Sequence, residues 1–256
     1  MTNYEILTFI GIIALFAALV WAAICYLCYA VRSQVLGATD WRGNSGGNSV
    51  ALTFDDGPAP DTPAILDFLR DENIKATFFL IGSAVEKYPE IAKRIAKEGH
   101  EIGNHSYSHP IYLFCTPQRT RRELEMTQAI IEKTVGYAPK LARPPCGVRT
   151  PAYFAAAKNL GLQTVQWSDA GFDWQNISAA EIAGKILETV QSDSIILLHD
   201  GDAALENDRR ETVKSLPLIL KGLRAKNLSV APLAELIGAA QTERTNYKGD
   251  FNSVKT

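Results

Sequence analysis

The sequence predicts an α/β domain, doubly wound or barrel-shaped, behind one apolar span. Three observations predict this layout. Between residues 49 and 238, short apolar runs alternate with segments of helical periodicity, the pattern of parallel strands joined by helical crossovers. Several of the runs end in acids or histidines, and both α/β architectures build their sites at the carboxyl ends of strands. Ahead of them, residues 6–31 carry no charged side chain.

Residues 1–5 form a short flank and residues 6–31 a transmembrane helix, because about 26 uncharged residues exceed the ~20 needed to cross a bilayer. Trp21, Tyr26 and Tyr29 lie toward its far end, where aromatic rings suit an interface. A cleaved signal peptide fits badly. Residues 1–5 hold no Lys or Arg, the run is too long, and no small-x-small site follows cleanly. Ile24 stands before Cys25 where a lipoprotein signal would have a small residue. Arg32 and Arg42 follow the span, a bias that by the positive-inside rule points the domain into the cytoplasm. Residues 32–48, which run through Gly43-Asn44-Ser45-Gly46-Gly47-Asn48, read as a flexible linker. Its reach of about 20–25 Å would hold the domain close to the membrane.

Within 49–238 the apolar runs 50–54, 76–81, 162–167 and 194–198 read as buried parallel strands. Helical periodicity marks 61–72, 83–98, 117–135, 150–160, 178–192 and 211–226. The polar tail 239–256 reads as disordered. With 46% hydrophobic and 21% charged residues the composition is that of an ordinary globular protein. A net charge of -2, with no basic stripe, argues against a nucleic-acid partner. Four cysteines are too few for a disulfide scaffold. Cys25 and Cys28 lie in the span as small hydrophobes, and whether Cys115 and Cys146 pair is left open.

Five stretches carry chemistry. Thr53-Phe54-Asp55-Asp56-Gly57 places two neighbouring carboxylates at a strand end before a Gly-Pro turn. Two such groups repel unless a cation neutralises one, which suits a hydrolase with one carboxylate on a metal and one free as a base. His105-Ser106-Tyr107-Ser108-His109 spaces two imidazoles four apart, near enough on one turn to share an ion. With Asp56 they make a three-ligand set that leaves a position for water. Arg143-Pro144-Pro145-Cys146-Gly147 is a rigid loop whose Arg is placed to pair with a catalytic carboxylate. The stretch from Trp167 to Trp174 ends in acids and aromatics suited to a sugar ring. Ile195-Ile196-Leu197-Leu198-His199-Asp200-Gly201 delivers a His to a strand end, a good place for a general acid. His100 has no such context and is read as structural.

Taken in order, these stretches resemble the polysaccharide deacetylase (NodB-homology) family over roughly residues 49–238. The resemblance implies a distorted (β/α) barrel and metal-dependent removal of acetyl groups from N-acetylated amino sugars in a peptidoglycan or chitin-like glycan. It makes Asp55 the base, and Asp56, His105 and His109 the ligands of a divalent metal, zinc first, with cobalt, nickel or manganese as alternatives. Arg143 matches the residue that tunes the base, Asp173 its carboxylate partner and His199 the general acid. Pro145, Cys146, Trp174 and Leu197 are expected to meet the sugar, with the Cys146 amide helping to hold the oxyanion. Two positions depart from the family pattern. Cys146 stands where an aromatic residue is usual, and Asp169 and Asp173 are four apart where three is usual, so Asp169 is left unassigned. The expected partners are the glycan and, through the helix, a membrane, with the domain outside the cytoplasm as in most of the family. Deacylation of a lipid-linked sugar and an inactive glycan-binding module are the alternatives.

Overall fold

A computed structural model describes residues 2–175, 177–203 and 208–238; the tail expected to be disordered, 239–256, lies outside them. The first helix, α1 (Asn3–Tyr29), begins where Thr2 and Glu5 cap each other's backbone N–H groups. Its 27 residues extend about 40 Å. Its apolar side chains are exposed along most of its length, Leu7, Phe16 and Leu19 among them, and only Cys28 is buried. The helix is long and apolar enough to cross a membrane.

The stretch expected as a free linker, 32–48, is instead laid along the domain. Asp40 donates its N–H to Thr164 and accepts from the N–H of Gln166, forming a bridge beside Val165. Arg42 reaches the carbonyl of Ser192 at 2.7 Å, and the Gly43 and Asn44 amides donate to Asp193 and Leu236. Backbone groups that a coil would leave to water are satisfied here by the strand Gln163–Thr164, by the turn before the strand Ile195–His199 and by the helix Leu233–Ile237, which fixes the segment in place.

From there the chain alternates as its periodicity predicts. In order come β1 (Ser49–Asp55), α2 (Thr62–Asp71), β2 (Thr77–Leu80), α3 (Gly82–Lys87), α4 (Pro89–Lys97), β3 (Glu101–Asn104), α5 (Pro117–Val135) and β4 (Leu141–Ala142). Then follow α6 (Pro151–Asn159), β5 (Gln163–Thr164), β6 (Asp169–Ala170), α7 (Ala179–Thr189), β7 (Ile195–His199), α8 (Arg210–Ala225), β8 (Ser229–Val230) and α9 (Leu233–Ile237). The single helix expected over 83–98 is two. Pro89 disfavours helical backbone at the residue before it, and Tyr88 sits at φ -129, ψ 57 between α3 and α4. The strand expected over 162–167 is only β5, because Val165 and Gln166 turn to meet Asp40.

All strand pairs are parallel, in the order β5-β4-β3-β2-β1-β7-β6, with β8 on the start of β1. The edge strands β5 and β6 are joined by residues 165–168 alone, so the sheet curls toward closure. This is the distorted barrel that the resemblance implies. One large core fills the space between sheet and helices, with Phe54 stacked on Phe78 at 5.0 Å among Ile65, Leu66, Ile186 and Leu223. Burying a side chain such as Phe54 is worth about 1.5–3 kcal/mol, and that buried layer fixes the strand register beneath the site. The register pairs Asp55 with His199 across β1 and β7.

Candidate active site

Parallel strands put all their carboxyl ends on one rim, so residues far apart in sequence meet there. Asp55 ends β1, His105 follows β3, Arg143 follows β4 and His199 ends β7. At this rim the backbone turns sharply. Asp56 (φ 75), Ser106 (φ 67), His109 (φ 53) and Cys146 (φ 53) all occupy the left-handed region, which costs energy for non-glycine residues and clusters at functional sites. Gly57 is required by a close approach, since a Cβ there would lie 2.0 Å from Asp200 Oδ2.

Asp56, His105 and His109 converge as predicted. Asp56 Oδ1 lies 3.3 Å from His105 Nε2 and 3.2 Å from His109 Nε2. The three ligand atoms lie within 4.8 Å of one another. His105 Nδ1 meets the Arg143 carbonyl at 2.6 Å, which fixes the ring so that Nε2 points at the carboxylate. Asp56 Oδ1 is buried with no hydrogen-bond partner, an orphan that a cation would satisfy. Burial pushes the Asp56 carboxyl up, but the imidazoles of His105, His199 and His109 outweigh it and hold it well below the ordinary carboxylate range. Burial, with His105 beside it, lowers His109 and favours the neutral ring that a metal needs. Burial lowers His105 too, but Asp55 and Asp56 raise it above its ordinary value. The same negative field favours a divalent cation. Two imidazole nitrogens and one carboxylate oxygen with room for a further ligand fit a catalytic divalent metal.

The loop that spaces the two histidines is held from α5. Glu123 accepts from the N–H groups of Tyr107 and Ser108, and from the Ser108 hydroxyl. Asn104 accepts from the Ser106 N–H and donates to Gln128 and the Leu124 carbonyl.

Beside the metal-type cluster, Asp55 is gripped by Arg143, whose Nη1 lies 2.8 Å from Oδ1. Arg143 is fully buried and also donates to Thr53 Oγ1 and the Gln166 carbonyl. Its guanidinium lies over the ring of Phe79 at 4.2 Å, which stiffens it further. Oδ2 of Asp55 is left facing the cluster, 3.7 Å from His105 Nε2.

His199 stands on the other side. Its Nδ1 meets Asp173 Oδ1 at 2.8 Å, and its backbone N–H donates to Asp173 Oδ2 at 2.7 Å. Asp173 is itself held by the Thr212 hydroxyl, and its carbonyl by Arg209. Burial pushes the His199 imidazole down, but Asp173 outweighs it, with Asp56 and Asp55 adding, and its pKa stands at about 9. Trp174 packs edge-on against this ring at 5.3 Å and is itself half exposed, beside Phe172. Leu197 is buried two residues before His199 in β7, Pro145 is buried, and Cys146 is exposed at the rim. Burial, with Asp56 and Asp55 near, raises the Cys146 thiol and keeps it neutral. All four cysteines are free, so Cys115 and Cys146 do not pair.

Asp169, left unassigned, accepts from the hydroxyls of Ser168 and Thr189 and ties β6 to α7. His100, expected to be structural, accepts from the Ala76 N–H and meets the Phe78 ring edge-on. Sequence reasoning missed Glu123, Asn104, Thr212 and Arg209. It also passed over Asp200, buried against the Thr62 hydroxyl, where burial raises its carboxyl to about 7. The one available signal was its place next to His199.

A hydrolase is the class this rim defines, with a cation pocket flanked by a carboxylate on one side and an imidazole on the other. Comparisons narrow the class. The polysaccharide deacetylase family profile matches residues 42–165. A peptidoglycan-N-acetylglucosamine deacetylase of Bacillus cereus is 38% identical over 196 residues, covering 76% of this chain and 70% of that protein. A chitooligosaccharide deacetylase of a Bradyrhizobium strain is 35% identical over 201 residues, covering 75% and 92%. Among solved structures, a peptidoglycan N-acetylglucosamine deacetylase in complex with 4-naphthalen-1-yl-N-oxidanyl-benzamide is similar with a TM-score of 0.76 at 37% identity, covering 80% of this chain and 95% of that one. A pseudoenzyme of carbohydrate esterase family 4 from Bacillus anthracis is similar with a TM-score of 0.71 at 26% identity, covering 78% and 68%. The chain belongs to the polysaccharide deacetylase family, which is metal-dependent and whose relatives named above include deacetylases, hydrolases of carbon–nitrogen bonds.

Proposed function

We propose that this chain removes acetyl groups from N-acetylated amino sugars of a glycan, peptidoglycan before chitin-like oligomers. The observation that carries the reading is the pairing of Asp55 with His199 on adjacent strands, flanking the Asp56, His105 and His109 group. Asp56, His105 and His109 would hold a divalent metal, and zinc suits two imidazoles and one carboxylate. When bound, such a metal polarises the acetamide carbonyl and lowers the pKa of water.

The chain's own groups do the rest. Asp55 Oδ2 takes a proton from the attacking water, while Arg143 holds Oδ1 and keeps the carboxylate aimed. The Cys146 amide donates to the oxyanion as the acetamide carbon becomes tetrahedral. His199, protonated at neutral pH and steadied through Nδ1 by Asp173, gives the Nε2 proton to the leaving amine. Pro145, Leu197 and Trp174 form the apolar and aromatic lining against the acetyl methyl and the sugar ring.

The names of the relatives support the substrate class. An inactive module is the weaker reading, because Asp55, Asp56, His105, His109 and His199 are all present at one rim. The helix α1 serves as a membrane anchor, and the domain lies outside the cytoplasm, where a wall glycan is found. The test is acetate release by the detergent-solubilised full chain from peptidoglycan, chitooligosaccharides and a lipid-linked N-acetyl sugar, with and without chelator. Chelator-sensitive release from peptidoglycan is expected. Release from none, by a zinc-loaded sample, would overturn the reading.

A further inference from the structure

The loop that carries Arg143 and Cys146 buries a second arginine at its far end. Arg149 is 1% exposed, yet its guanidinium meets main-chain carbonyls where Arg143 meets a carboxylate. Nη1 donates to Val31 at 2.9 Å and to Ser33 at 3.5 Å, and Nη2 donates to Ala30. Its backbone N–H donates to Cys28 at 3.1 Å. All four acceptors belong to the last turn of α1 and the residues just beyond it.

A helix end leaves its final carbonyls without partners and carries a partial negative charge. A buried guanidinium needs acceptors and a compensating field. Each supplies what the other lacks. The contact is also apolar, since Cys28 packs in one cluster with Tyr112, Val148 and Tyr153, with Leu36 and Phe154 against it. Gly37 lies so close to the Phe154 ring that a Cβ would come within 2.5 Å. The end of the helix is thus built into the domain, directly under the loop that presents the Cys146 amide.

We propose that residues 28–33 are the seat of this active-site loop, that Arg149 is the positioning residue that locks the loop to it, and that α1 is therefore retained on the working enzyme. A chain cut within this turn would lose the acceptors of Arg149 and expose the Tyr112–Tyr153 cluster. Only the activity arm of the test rests on the deacetylase reading.

The experiment uses the full chain in detergent, carrying a C-terminal tag. Intact mass of protein recovered from its host reads retention. The expected species has the mass of the full 28.0 kDa chain plus the tag, and an active species lacking α1 would overturn the proposal. Hydrogen exchange compares wild type with Arg149→Met, Arg149→Lys and a two-glycine insertion between Tyr29 and Ala30. Faster exchange in both the 28–36 and the 144–149 segments is expected for Arg149→Met and for the insertion, with partial recovery in Arg149→Lys. Acetate release should fall in kcat on the order of 10²-fold for a misplaced loop at unchanged zinc content, again with partial recovery in Arg149→Lys. Unchanged kcat and unchanged exchange would overturn the assignment. If Arg149→Met does not fold, the insertion variant and the intact mass still decide it. If wild type releases no acetate, the deacetylase reading falls, while mass and exchange still judge the seat.

Discussion

The site has two carboxylate–imidazole poles, and they are built in opposite ways. At one, Asp173 and His199 form a finished unit. The carboxylate accepts from the imidazole, a backbone amide and Thr212, and the proton on the ring is held to about pH 9. At the other, Asp56 faces two imidazoles at 3.2 and 3.3 Å with its Oδ1 unsatisfied. The first pole keeps a proton and the second is shaped to take a cation. Burial is similar at both, so the difference lies in what completes each carboxylate: hydrogen bonds from the protein at one, an ion at the other.

Stripping the metal should silence the second pole outright. Chelator is expected to reduce acetate release to background and added zinc to restore it; activity that persists in metal-free protein would erase the distinction. Next in size is Asp55→Asn, which removes the proposed base while leaving the side chains and hydrogen bonds that build each pole in place. The loss expected is about 10²–10⁴-fold in kcat with zinc content unchanged, measured by metal analysis. Loss of zinc in this variant would move Asp55 into the cation pole.

The finished pole is probed by Asp173→Asn. Because His199 is raised to about 9, the protonated acid is present below that pH, and activity should decline only as pH rises through it. Without Asp173 the alkaline limb should shift down toward the ordinary histidine value of about 6.5. The same raised value means that the charged ring stabilises the fold fully below about 6.5, a contribution lost as pH rises through about 9. A pH–rate profile unchanged by the substitution would mean that His199 is not the acid. Glu123→Gln should do the reverse, weakening zinc affinity about 10–100-fold by loosening the His105–His109 loop while the alkaline limb stays in place. Smallest is Cys146→Tyr. An added aromatic contact is worth about 0.5–1.5 kcal/mol, so KM for a glycan should fall severalfold at nearly constant kcat.

Asp55, Asp56 and His199 were legible because each sits at the end of an apolar run, where strand periodicity breaks and acids, histidines or glycines cluster. His105 and His109 were legible from their four-residue spacing, and Arg143 from the rigid Pro-Pro-Cys-Gly loop it opens. Their supports were not. Glu123 lies in a helix beside Arg121, Arg122 and Glu125, and nothing in that charged stretch distinguishes the acid that turns inward from the one that faces water. Thr212 and Arg209 reach Asp173 only because α8 folds back across the sheet, a contact between residues distant in the chain. The docking of 32–48 was misread for a related reason. Its glycines and polar residues carry the composition of a spacer, while their backbone groups find partners in a turn and in α9 that composition does not reveal.

The pairing of Asp55 with His199 was described above as a matter of register. Neighbouring strands lie about 4.8 Å apart, so the gap between base and acid is ruled by main-chain hydrogen bonds in the floor of the barrel. The surrounding loops aim the two side chains across that gap, Arg143 through Asp55 Oδ1 and Asp173 through His199 Nδ1. A change at the loop tips would therefore redraw the outline of the cleft while the spacing of the two strands beneath keeps its scale.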